Sequence, residues 1–188
     1  TQGVSSAASD VYKRQLTGTA AALAGGVTTL LDMPLNSVPV TTTVDALAAK
    51  RAATTGKLGV DVGYWGGAVP ENLGSLAELR AAGVVGFKCF LSPSGIDEFG
   101  HLDAHQLERA LAEVAALDTV LIVHAEDPAH LHHDGPLGPR YSSFLTSRPS
   151  SSERSAIATV IEASRRTGGR AHICLLYTSD AADDTPCV

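Results

Sequence analysis

Residues Val84–Pro93 read VVGFKCFLSP, and they place a lysine where a folded protein ordinarily puts an apolar side chain. Gly83 and Gly86 bracket a run rich in Val and Phe, which predicts a buried parallel strand with a loop opening near Ser92. Side chains alternate along a strand, so Gly86, Lys88 and Phe90 share one face while Phe87, Cys89 and Leu91 share the other. Burying an ammonium costs several kcal/mol unless it is paired, deprotonated or chemically modified. Lys88 therefore has two readings at this point: a structural lysine that reaches the strand end and pairs with a carboxylate, or a functional amine.

Outward from this strand the chain alternates with a regular beat. Thr17–Ala24 predicts an Ala-rich helix closed by Gly25 and Gly26, followed by an apolar strand from Val27 ending at Asp32. The loop MPLNSVPV follows. Val44, Leu47, Ala48 and Ala52 recur at helical spacing, Gly56 closes that helix, and Leu58–Trp65 predicts a second strand. A helix over Leu73–Ala82 leads into the lysine strand. Asp103 with Gln106 has the form of a capping box that opens a helix to Leu117, and Thr119–His124 is the next strand. Ser150 with Glu153 repeats the box and opens a helix to Thr167, which Gly168 and Gly169 end. Arg170–Cys174 begins a last strand. Five strands alternating with five helices predict a parallel α/β fold. A Rossmann sheet needs a glycine fingerprint after its first strand, and MPLNSVPVT has none. TTGKL follows a helix and lacks the leading glycine of a phosphate loop. Asp32, Lys88 and His124 instead stand at or near the C-terminal ends of three of the five strands, where a (β/α)₈ barrel carries its chemistry.

Composition bounds the function. The 188 residues are 44% hydrophobic with a net charge of −6, enough for one sizeable core, and the acidic balance argues against a nucleic-acid binder or a basic membrane-surface helix. No apolar run has the length of a membrane span and no leader pattern is present. Cys89, Cys174 and Cys187 lack CxxC spacing, which suggests neither a disulfide framework nor a thiolate zinc site and predicts a reducing, cytoplasmic setting. Residues 1–15 and 175–188 carry no continuing pattern and read as translated adapter sequence. The expected domain is 16–174, cut at both ends.

The second informative stretch is LIVHAEDP, residues 121–128. His124 closes an apolar strand as Lys88 does, with Glu126 and Asp127 starting the loop. A lone strand-end histidine is more often structural. One βα unit from a buried lysine it gains a second meaning, because neutral imidazole and an anionic oxygen are what a zinc-like ion takes. A lysine amine deprotonated in an apolar pocket can add carbon dioxide, and the carbamate offers two oxygens.

With these residues, GFKCFLSPSG, VHAEDP and AGGVTTLLDMPLNSVP together resemble the cyclic-amide hydrolases of the amidohydrolase superfamily, most closely the allantoinases, with hydantoinases and dihydroorotases as relatives. The resemblance covers about residues 16–174. It implies about strands 2 to 6 of a metal-dependent TIM barrel, Lys88 carboxylated and bridging two divalent ions, most simply zinc, and His124 binding one of them. It further implies opening of the hydantoin ring of allantoin, a small cyclic ureide, to allantoate, by a homo-tetrameric parent. The remaining ligands of that pattern, a His-x-His pair, a further histidine and a general-base aspartate, have no counterpart here, so the 188-residue chain is expected to be inactive. Asn36 is a candidate substrate contact, with turn formation as its other role. Hydantoinases place a tyrosine five residues after the lysine, where this chain has Pro93. His172 is expected to point away from the pocket, counting parity from position 175, and His130, His132 and His133 to lie on a surface loop. Three alternatives stand: hydantoinase/dihydropyrimidinase or dihydroorotase activity, a non-catalytic scaffold that keeps the barrel, and a serine hydrolase using His124 with Asp127, for which no GxSxG elbow exists.

Overall fold

The computed structural model describes residues 11–35, 37–132 and 140–174. In chain order the elements are α1 (Val11–Ala24), β1 (Thr29–Asp32), α2 (Val44–Thr54), β2 (Asp61–Tyr64), β3 (Gly66–Gly67) and α3 (Leu76–Ala81). Then follow β4 (Phe87–Phe90), α4 (Ala104–Ala116), β5 (Val120–His124), α5 (Tyr141–Ser147), α6 (Ser150–Thr167) and β6 (Arg170–Ile173), with short 3₁₀ turns at Pro70–Asn72 and Pro128–His130.

All strand pairings are parallel: β1 with β2, β3 with β4, β4 with β5 and β5 with β6. β2 and β3 are one path interrupted at Trp65. Val85 N–H donates to Tyr64 O and Gly66 N–H to Gly86 O, both at 2.9 Å, so the path leaves β1 and takes up β4 without losing its hydrogen bonds. Strand order thus follows chain order with a helix in every crossover. A doubly wound sheet reverses its order at a switch point; this one never does, and it is a segment of a β/α barrel wall.

The helices form for legible reasons. Asp103 and Gln106 make the expected capping box, with Gln106 N–H donating to Asp103 Oδ1 at 2.8 Å and Asp103 N–H to Gln106 Oε1 at 2.9 Å. From there α4 buries Leu107, Ala110, Leu111 and Val114, one stripe at helical spacing. It packs beside α6, which buries Ala156, Val160 and Ala163. Both helices cover the outward side chains of β4 and β5, namely Phe87, Cys89, Leu121 and Val123. Each large apolar side chain so enclosed contributes about 2 kcal/mol. Gly168 ends α6 in the left-handed conformation at φ 71°, where a side chain would be strained.

Four sequence expectations change. α1 begins at Val11 rather than Thr17. The second capping box does not form: Pro149 is the N-cap of α6 and Ser150 already lies within the helix, its fixed-φ neighbour having set the start. An additional helix, α5, lies before α6 in a stretch to which no element had been assigned. The buried face of α2 is Ala46, Leu47, Lys50 and Thr54, whereas Val44 is exposed. Polar side chains with buried partners had hidden that face from an apolar pattern.

Candidate functional site at the strand C-termini

Register sets the site. Lys88 stands opposite Ile122 and Phe90 opposite His124, and side chains paired across parallel strands project from the same face. Lys88, Phe90, Ile122 and His124 therefore share the face turned away from the helices, which is the barrel interior.

Lys88 is 7% exposed. Its Nζ donates to Cys174 Sγ at 3.0 Å and stands 4.9 Å from the centroid of the Phe90 ring. Among the described residues no carboxylate forms an ion pair with it. A thiol and an aromatic face are weak company for a buried ammonium. Beneath it, Gly86 makes room for Trp65: a Cβ at Gly86 would lie 2.5 Å from the indole Cζ3 and 2.7 Å from Val120 O. On the outward face Cys89 is fully buried, and desolvation pushes its thiol up to about 12, against the attraction of Lys88, so it stays a packed, unreactive thiol.

His124 stacks on Phe90 at 5.0 Å between centroids, so one phenyl ring touches both the Lys88 amine and the imidazole. His124 Nε2 lies 2.8 Å from Glu126 Oε2. The same oxygen accepts from Arg148 and, at 3.4 Å, from Ser92 Oγ. The hydrogen bond from His124 and the charge of Arg148 outweigh desolvation and hold the Glu126 carboxyl down at about 2. Above the site, Phe99 meets Phe90 edge-on at 5.6 Å and joins Val40 and Val69 in a small apolar cluster beside Leu35. Asn72 anchors that rim: its Nδ2 donates to Thr42 O and Gly67 O at 2.9 and 2.8 Å, and its Oδ1 accepts from Val69 N–H at 3.0 Å.

Other expected residues separate. Asp32 is committed to Lys50, with Nζ to Oδ2 at 2.7 Å, and Lys50 also donates to Met33 O at 2.6 Å; nothing in the sequence pattern marked Lys50. Asp127 does not reach for His124. It accepts from Ser155 Oγ at 2.6 Å and Ala129 N–H at 2.9 Å and lies 3.2 Å from His130 Nδ1, which fastens the loop to α6 and removes the serine-hydrolase pairing. His172 corrects its expectation. It stands opposite Ile122 on the interior face, while Ala171 and Ile173 pack toward the helices. Parity had been counted from position 175, beyond the end of β6 at Ile173. His130 and His132 lie in the loop after β5, with the Nδ1 side of His130 turned to Asp127. Asn36 and His133 lie outside the described residues.

No group of three or more His, Cys, Asp or Glu side chains among the described residues is placed to hold a metal ion. Of the two groups on that face, the imidazole, with one nitrogen fixed by a carboxylate, suits such an ion as it stands, and the buried amine would suit it only as a carbamate.

The dihydro-orotase-like family model matches residues 4–181. The allantoinase of Streptomyces avermitilis is 53% identical over 166 residues, covering 88% of this chain and 37% of that protein. The allantoinase of Saccharomyces cerevisiae is 47% identical over 156 residues, 81% of this chain and 34% of that one. Among solved structures, the L-hydantoinase (dihydropyrimidinase) of Arthrobacter aurescens superposes with a TM-score of 0.83 at 29% identity, over 90% of this chain and 39% of that one. The chain spans little more than a third of the length of these relatives.

Proposed function

Because this chain belongs to the dihydro-orotase-like family, we propose that it is part of a hydrolase that opens the hydantoin ring of allantoin to give allantoate. The observation that carries the reading is the placement of Lys88 and His124 on one interior face, with the lysine amine buried and without a carboxylate partner among the described residues. The choice of allantoin over other cyclic amides is supported by the allantoinases of Streptomyces avermitilis and Saccharomyces cerevisiae.

In this reading Lys88, carboxylated by carbon dioxide, and His124 hold part of a pair of divalent ions, with zinc favoured. When bound, such ions polarise the amide carbonyl and lower the pKa of water to ~7. The chain's own residues prepare for that. Outward packing of Phe87 and Cys89 fixes the direction of Lys88. Trp65 fills the interior beside Gly86, below the amine, and Phe90 lies against both Lys88 and His124. Asn36 as a substrate contact, a 16–174 domain, homo-tetrameric assembly and a cytoplasmic location belong to the same proposal. No helix among the described residues is long and apolar enough to cross a membrane.

A protein that extends this chain to the length of its relatives tests the reading. It should bind zinc, release allantoate from allantoin, and lose both on Lys88→Ala substitution. An extended protein that binds zinc but turns over only dihydropyrimidine or other hydantoin substrates would move the assignment to hydantoinase, which the likeness to the Arthrobacter aurescens structure supports.

A further inference from the structure

Glu126 stands two residues beyond His124, at the start of the loop, and its Oε2 gathers three partners: His124, Arg148 and Ser92. One of these, Arg148, arrives from the end of α5, 22 residues away in sequence, with its guanidinium 5.8 Å from the Phe144 ring centroid. Arg and Ser hydroxyl can only donate to a carboxylate, so the oxygen they share is an acceptor toward the imidazole as well. An acceptor at Nε2 requires the proton there, and a neutral imidazole with Nε2–H keeps its lone pair on Nδ1.

From this we infer that Glu126, braced by Arg148, is a positioning residue that fixes the ring of His124 and keeps its proton on Nε2. The tautomer follows from the hydrogen bonds alone; only what the ring is positioned for rests on the proposed hydrolase reading. A carboxylate behind a ligand histidine both orients the ring and raises its basicity. The arrangement also makes α5 part of the site's support, because the brace reaches Glu126 from that helix.

The test is nitrogen-15 NMR of the uniformly labelled 188-residue chain, without metal, above the ordinary imidazole titration range. Wild type should show a downfield His124 ring N–H that correlates to Nε2. Glu126→Ala should abolish this resonance. Arg148→Met, a change at a side chain that is 40% exposed, should leave the fold intact by circular dichroism and speed exchange of that proton about tenfold. A ring proton on Nδ1, no protected ring proton in the wild type, or one that survives in a folded Glu126→Ala chain would overturn the inference. Should Glu126→Ala not fold, the wild-type assignment and Arg148→Met still decide. Because no metal or substrate is present, failure here is separate from failure of the allantoin assignment, which zinc content and product release decide.

Discussion

Lys50 Nζ lies 2.7 Å from Asp32 Oδ2 and joins the middle of α2 to the C-terminal end of β1. The two partners are unequal, since the Lys50 side chain is 2% exposed and the Asp32 side chain 30%. Removing the carboxylate strands a buried ammonium, whereas removing the lysine leaves a carboxylate that water can reach. Asp32→Ala should therefore cost about 3 kcal/mol, and Lys50→Met about 1 kcal/mol or less. Urea unfolding of both variants checks the order; equal losses would mean that the pair does not act as a buried charge and its counter-charge.

Lys88 should behave in the opposite way. Its Nζ has a thiol and an aromatic ring for company, so Lys88→Met should stabilise the metal-free chain by about 1 kcal/mol while removing the amine that carboxylation needs. A lower urea midpoint for this variant would make Lys88 a structural lysine and take away the main support for the hydrolase reading.

Gly86 tests the floor of the site. A methyl group there would press on the Trp65 ring and on Val120 O, and the second of these is backbone that cannot turn aside. Gly86→Ala should cost about 2 kcal/mol and raise the exposure of Trp65, the chain's one tryptophan. Fluorescence follows both, and an unshifted emission maximum in a folded variant would show that Trp65 does not pack over this glycine.

Asp127 carries a pH dependence. Its carboxyl is held below its ordinary value, first by the Ser155 hydroxyl, then by the Ala129 N–H and the charge of His130, with burial opposing. A folded pKa below the unfolded one means that the folded state binds fewer protons, so the stabilisation is complete above pH ~3.9 and fades as pH falls through the folded value. Asp127→Asn should be less stable than wild type at neutral pH, and the gap should close in acid. Ser155→Ala should cost about 1 kcal/mol at neutral pH. A gap that stays constant into acid would show that the carboxylate charge plays no part.

The strands and the Lys88–His124 face were legible because β4 and β5 alternate with period two, and one polar residue on such a strand fixes the parity of all the others. The capping box of α4 was legible as well, since Asp103 and Gln106 satisfy each other without outside help. What escaped depends on partners distant in sequence. Lys50 and Thr54 look like solvent-facing residues until Asp32, Met33 O and the Tyr64 hydroxyl are seen beside them. Glu126 reads as a loop carboxylate until Arg148 arrives. The break at Trp65 has no local signature, because it answers to β1 on one side and β4 on the other.

The alternation in β4 makes the chain's most exacting position a length rather than a residue. Phe87 and Cys89 face the helices and Lys88 and Phe90 the interior, so one residue gained or lost between Gly83 and Gly86 would turn the strand inside out. The amine would enter the packed layer beneath α4 and α6, and a phenyl ring would take its place at the mouth. A lineage can thus exchange many side chains along this segment while insertions and deletions of a single codon stay closed to it.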